Sequence, residues 1–444
     1  MSSLFFSKTK EILHLALPLG ATLLAQMGLG VVDTVMMGHL GVAELAAGSL
    51  SQAAFTMVLV FFVGVMSAVG ILVARNYGAK NEKAISENLS QGIYIALFLG
   101  IFGMLALWGT PTFYLSIGQD KAIVELARQY LFPLSFGMPA ILLYILSREF
   151  LAVFLYARIV MIIAIAVIPL GIALNYIFMY GKLGLPALGI QGIAIATVII
   201  QWGMLFVLGA FIFKKSDLKQ HIKLISIDKK QLMLICKLGF PIGIMMLFEE
   251  GLFAVSAIMM GYFGEISLAA HQITLLCVSF FFMIQLGLSQ AAAILIAKSL
   301  GAKQAIQAKQ FVYGAILLGL GVAAMTAILY ILLPKQLSLF FMRADRVNVD
   351  VIRLATQFFI IAAVFQFFDS IQVISVGALR GYKDTFVPMC LGGLSYWIFG
   401  LSFGYLSAFH WGVDGAGLWW GLAIGIGISA VLLLARLKRI SNLE

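Results

Sequence analysis

Charge is what this 444-residue chain has least of. Only 11% of its residues are charged and 19 are acidic, whereas soluble domains carry about 25% charged residues. So little charge excludes an ordinary soluble protein. Cysteine is also scarce: Cys236, Cys277 and Cys390 lie in apolar stretches without metal-ligand spacing, so neither a disulfide framework nor a zinc site is indicated. There is no Walker loop, dinucleotide fingerprint, HExxH helix or nucleophile elbow, and no polar segment long enough for a soluble catalytic or nucleotide-binding domain. Neither an enzyme nor an ATP-driven machine is expected. The five histidines fall near predicted interfaces and read as interfacial or loop contacts, with His271, at the start of the eighth apolar run, open to a gating or proton role.

In place of charge there is apolar surface. Hydrophobic residues make up 62% of the chain, and the mean hydropathy is +1.05. Lipid must absorb that surface. Runs of spanning length, from about 12–37 to 414–435, number twelve, which predicts an all-α membrane protein with twelve transmembrane helices. The first run is too long for a signal h-region and no small-residue cleavage site follows it. The net charge of +10 is explained by topology rather than by nucleic acid. With the N-terminus inside, 22 Lys and Arg face inward and seven face outward, namely Lys121, Arg128, Lys182, Lys335, Arg343, Arg346 and Arg353. The positive-inside rule then makes both termini cytoplasmic, in a plasma membrane of the bacterial inner-membrane type.

Slid along itself until Pro18 falls on Pro241, the sequence matches itself without a gap: Gly20 falls on Gly243, Met36-Met37-Gly38 on Met259-Met260-Gly261, and Gly78-Ala79-Lys80 on Gly301-Ala302-Lys303. Late in each half, Gly189 and Gly192 fall on Gly412 and Gly415. The domains expected are an N-lobe over 1–213, a cytoplasmic linker over 214–232 and a C-lobe over 233–444. Six helices per copy is even, so the copies enter the membrane in the same direction. Such parallel repeats belong to secondary transporters.

Four acids lie inside apolar runs: Asp33, Glu249, Glu250 and Asp369. An ionisable group there costs a few kcal/mol and is by default a functional hypothesis. Glu249 is twelve residues from both Lys237 and Gly261, and Asp369 lies 16 after Arg353 and 11 before Arg380, so both sit near mid-membrane. Phe253 shares a helix face with Glu249, and Gln366 and Gln372 flank Asp369 at three-residue spacing. Glu250 points about 100° away from Glu249. The repeat sets Glu249 on Gln26 and Ser256 on Asp33. Asp33 has Asn175 and Thr197 as candidate partners, supplying neutral oxygens and an amide donor. Each set suits a proton or an alkali cation.

Val31 to Gly41 (VVDTVMMGHLG), Leu247 to Val255 (LFEEGLFAV) and Asp369 to Thr385 (DSIQVISVGALRGYKDT) resemble the motifs of the multidrug and toxic compound extrusion (MATE) family, NorM type. The resemblance covers the whole chain. It implies two six-helix lobes around an outward-opening cleft, and a multidrug efflux antiporter that exchanges Na⁺ or H⁺ for small organic cations, often aromatic drugs and dyes. Asp33, Glu249, Asp369, Phe253, Asn175 and Thr197 match family positions, and the resemblance of Glu249, Asp369 and Phe253 to the cation site of the NorM branch implies Na⁺ as the candidate metal ion at Glu249 and Asp369. Met179 stands where some archaeal relatives carry a second acid, and Glu250 is an added charge. No cofactor, ATP or nucleic acid is expected, and the partners are substrate cations and membrane lipid around a monomer. A lipid-linked saccharide flippase of the same superfamily would need a cationic cavity, and a passive channel or structural protein would not need paired buried acids.

The charge asymmetry gives a direct test of topology. In a chain freed of its native cysteines, a cysteine within 214–230 is expected to be labelled only from the cytoplasmic side, and one at Ser338 only from outside. Reversed labelling would overturn the orientation.

Overall fold

In the bilayer core no water is available to backbone N–H and C=O groups, so each apolar run must close its hydrogen bonds internally. A computed structural model describes residues 2–342 and 348–443, and Arg343 and Arg346 lie outside the described residues. Its helices are α1 (Ser2–Leu40), α2 (Val42–Gly78), α3 (Glu82–Ser116), α4 (Lys121–Ser135), α5 (Met138–Val153), α6 (Ala157–Tyr180), α7 (Ile190–Lys214) and the short α8 (Ser216–Lys219). There follow α9 (Lys229–Gly261), α10 (Glu265–Gly301), α11 (Ala305–Leu332), α12 (Pro334–Phe340), α13 (Val349–Gly381), α14 (Phe386–Gly393), a π-helical stretch over Leu394–Leu401, α15 (Ser402–Phe409) and α16 (Asp414–Leu443). Among the described residues eleven spans are long and apolar enough to cross a membrane, and the pair α4 and α5, bent by 48° at its break, makes a twelfth. The protein is an all-α, multi-pass membrane protein.

The chain forms two compact units. One contains residues 1–20 and 244–444, the other residues 21–243. The units divide inside α1 and α9, at Gly20 and Gly243, which are repeat mates. In the first unit a side chain on Gly287 of α10 would meet the Gly20 backbone at 2.6 Å; in the second, one on Gly64 of α2 would meet the Gly243 backbone at 2.5 Å. The repeat also sets Gly64 on Gly287, so the same contact is built twice. Pro18 and Pro241 sit two residues ahead, where the missing N–H interrupts the helical ladder.

Lipid supplies no hydrophobic force between helices, so packing rests on close approach of small residues. The stretch ending in Gly400 and Gly404 meets α16 at Gly421 and Gly425: a Cβ on Gly400 would lie 2.9 Å from the Gly425 Cα, and one on Gly421 would strike the Gly404 Cα. These are two facing small-xxx-small pairs.

The polar linker is also placed, in the unit of residues 21–243. The Ser90 hydroxyl and Gln91 amide bond the backbone of Ile225, Ser226 and Asp228, and the Tyr94 hydroxyl donates to the Ile225 carbonyl at 3.0 Å. His221, 3% exposed, packs on Phe150 and Phe154, and this desolvation pushes its pKa below the usual 6.5, opposed by Glu82. His271 departs from expectation too: it is fully buried in α10, its ring 5.5 Å from Trp419, with no hydrogen-bond partner at either nitrogen. Ser338 is buried with its hydroxyl on the Pro334 carbonyl, so the outer label belongs at exposed Gln336.

Gly421→Val is expected to cost about 1–3 kcal/mol through overpacking against backbone, read as a lower melting temperature in detergent. Gly203→Val, with nothing within 4 Å of its Cβ, is the control that should leave it unchanged. For the linker, a His whose folded pKa is depressed stabilises the docked state above its unfolded pKa, and that contribution fades as pH falls below about 6.5. Hydrogen exchange over 221–228, corrected for intrinsic rates, should therefore accelerate on acidification in the wild type. A response of the same size in His221→Phe would refute the assignment.

Candidate cation sites

Asp33 lies six residues short of His39 at the end of α1, and is 7% exposed. Helices α6 and α7 bring its partners to it. The Asn175 amide donates to one carboxylate oxygen at 2.6 Å, and the Thr197 hydroxyl stands 3.1 Å from the other. That hydroxyl is also 3.0 Å from the Ile193 carbonyl, and its single proton serves one acceptor at a time. When it turns to Ile193, the Thr197 oxygen can accept, so the pair accommodates either a carboxylate or a carboxylic acid. The Asn175 side-chain oxygen is buried without a partner. Two carboxylate oxygens, an amide oxygen and a hydroxyl form a set of hard donors that fits a proton or an alkali cation. Fully buried Tyr130 of α4 stands close enough for its charge state to feel Asp33. Nothing in the sequence singled it out, because α4 supplies no acid and its tyrosine has the spacing of a core residue.

The second site belongs wholly to the other unit. Asp369 on α13 is 1% exposed and one of its oxygens has no partner, and it interacts electrostatically with Glu249 on α9. Glu249 is half-buried whereas Glu250 is exposed, which separates the adjacent acids as their offset of about 100° on the helix predicts. Around Asp369, α13 carries fully buried Gln366, whose amide has no partner at either end, and Gln372, which donates to the Tyr396 hydroxyl. Ser370 and Ser375 add buried hydroxyl oxygens that also lack partners. Tyr396 lies in the π-helical stretch, and π-turns are frequent at functional sites. Phe253 is half-buried, with its ring edge-on to Phe365 at 6.3 Å. Gln26, the repeat mate of Glu249, lies by Tyr144 in the other unit.

Three charged residues were read only as loop or helix-end groups in the sequence. Arg380 acts electrostatically on Glu249 and Tyr396 of the second site. Its place near the end of an apolar run disguised it as a topology signal. Arg148 and Glu149, both buried, form an ion pair at 3.0 Å on α5, with the glutamate against Gly70 of α2. Adjacent opposite charges could have flagged it. Among the described residues no three His, Cys, Asp or Glu side chains gather to hold a metal ion, so any cation here depends on the neutral oxygens.

A sequence model of the MatE family matches residues 18–177 and 241–406, one stretch in each repeat copy. The chain is 32% identical over 445 residues to a probable multidrug resistance protein NorM of Mannheimia succiniciproducens, covering 98% of this chain and 94% of that protein. It is 35% identical over 437 residues to the protein of the same description in Pseudomonas aeruginosa, covering 97% and 89%. In structure it resembles the Vibrio cholerae MATE transporter VcmN, with TM-score 0.87 at 17% identity over 99% and 98% of the two chains. It also resembles the eukaryotic MATE transporter AtDTX14, with TM-score 0.84 at 21% identity over 99% and 98%. With both repeat copies matched, and with relatives that share a third of their residues with it over nearly the whole length, this chain belongs to the MatE family.

Proposed function

We propose that the protein is a multidrug efflux antiporter that exchanges Na⁺ or H⁺ for small organic cations by alternating access, as a monomer in a plasma membrane with both termini cytoplasmic. The observation that carries this reading is the pair of separate buried acid sites, one per unit, with Asp33 held by Asn175 and Thr197 and Asp369 interacting with Glu249. The names of the relatives support efflux of drugs as the direction of work. An uncompensated carboxylate in low dielectric is costly, so each acid is best served by a bound ion or a cationic substrate. Neutralising it with one lowers its affinity for the other. That competition supplies coupling without ATP. Na⁺ is the favoured ion at Glu249 and Asp369, where buried Gln and Ser oxygens lie on the same helix as Asp369. A lipid-linked saccharide would require cationic surface for its pyrophosphate, and the buried acids favour cations.

Reconstituted vesicles with imposed Na⁺ and H⁺ gradients test this. Glu249→Gln and Asp369→Asn are each expected to lower gradient-driven uptake of a cationic dye by about tenfold or more, equivalent to about 1.4 kcal/mol, with expression intact and Glu250→Gln milder. Asp33→Asn should impair transport yet leave ion binding at Glu249 and Asp369, measured by titration calorimetry in detergent. Near wild-type transport in both variants at the Glu249 and Asp369 site would sink its assignment, and loss of all ion binding in a folded Asp33→Asn protein would replace two sites with one.

A further inference from the structure

The end of α3 remote from the linker carries a built cavity that the transport reading does not use. It encloses about 310 Å³ and is lined by Trp108 and Leu115 of α3 and by Lys121, Val124, Glu125 and Arg128 of α4, all in the unit of residues 21–243. That volume is at the low end for small-molecule sites, about 300–1,000 Å³. Trp108 stands 17 residues beyond Gln91, which holds the linker, so about 25 Å of helix separates them. A hydrocarbon core of about 30 Å therefore places the cavity at the opposite membrane boundary.

Its walls have two characters. Trp108 is anchored, stacked on Phe132 at 5.4 Å with its indole donating to the Ser135 hydroxyl at 2.8 Å. Beside it Phe132 is more than half exposed, an apolar flank suited to acyl chains. Above the flank, Lys121, Glu125 and Arg128 recur at four and three residues on the exposed face of α4, while Val124, Ala127 and Leu131 bury the other face. Among the described residues none of the three charged side chains makes an ion pair or hydrogen bond with another residue.

The fold does not require this trio. Asp120 and Asn348 cap α4 and α13 in the same way, each accepting two backbone N–H groups, and after them Leu126-Ala127 and Gln129 recur as Leu354-Ala355 and Gln357. At the matching positions of α13 stand Val349, Arg353 and Thr356 in place of Lys121, Glu125 and Arg128. The equivalent helix folds without them.

We propose that this cavity binds the phosphoethanolamine headgroup of a membrane glycerophospholipid, with its phosphate on Lys121 and Arg128, its ammonium on Glu125 and its chains along Phe132. Two cations and one carboxylate complement an anion tethered to a primary ammonium. A choline headgroup has no N–H to give Glu125, and a glycerol headgroup has no cation.

Native mass spectrometry of the purified full chain with palmitoyl-oleoyl phosphatidylethanolamine, phosphatidylcholine or phosphatidylglycerol tests the proposal. The wild type is expected to retain the ethanolamine lipid over the other two. Glu125→Gln should lower that retention roughly threefold, the scale of an exposed ion pair, without lowering retention of phosphatidylglycerol. The double variant Lys121→Gln, Arg128→Gln should weaken all three lipids. Equal retention of the three by the wild type, variants unchanged from wild type, or displacement by inorganic phosphate as effective as by lipid would overturn it. Quenching of tryptophan fluorescence by chain-brominated phosphatidylethanolamine checks the same place with the charged trio intact: Trp108→Phe should remove a quenched component, and unchanged quenching would count against the site.

Discussion

A carboxylate inside a bilayer has to be compensated, and the surrounding helices are arranged to do so. Asp33 is met by an amide and a hydroxyl from two other helices, so its charge is spread over neutral donors. Asp369 interacts with Glu249, a like charge, on a helix whose buried Gln366, Ser370 and Ser375 lack hydrogen-bond partners, with Arg380 acting on the glutamate. One site is nearly complete in protein alone, and the other is left with unspent oxygens. The difference follows from residue choice at repeat positions, where Gln26 answers Glu249 and Ser256 answers Asp33.

Holding such groups in register requires rigid helix contacts, and lipid gives these helices no hydrophobic reason to associate. Glycine provides the alternative by letting backbones touch. The Gly20 to Gly287 and Gly64 to Gly243 contacts are one solution used twice, and they fall where α1 and α9 pass from one compact unit to the other. Each of these two helices also carries an acid, Asp33 beyond the exchange point in α1 and Glu249 beyond it in α9. The acids thus ride on the two helices whose halves belong to different units, which ties the charge state of a site to a helix shared by both.

The linker shows the same economy of means outside the membrane. A polar connection of this length has backbone groups that need partners, and Ser90, Gln91 and Tyr94 of α3 supply them. It is therefore a docked part of one unit, and His221 is the titratable residue buried in that docking.

The sequence by itself determined the class of the protein. Scarce charge and long apolar runs leave only helices as membrane-crossing structures, the self-match that sets Pro18 on Pro241 exposes the repeat, and acids in apolar runs are conspicuous because burying them is costly. Asn175 and Thr197 were legible as partners of Asp33 because few polar residues interrupt their helices. What only the tertiary structure decided depends on side chains converging from distant parts of the chain. Tyr130 beside Asp33, Arg380 on Glu249, the buried Arg148 and Glu149 pair and the partnerless His271 all look, in one dimension, like core aromatics or interface residues. The unit boundary was hidden for the same reason: the linker is the obvious break in hydropathy, yet cohesion follows glycine contacts between helices. Hydropathy records which segments enter lipid, and packing alone decides which of them belong together.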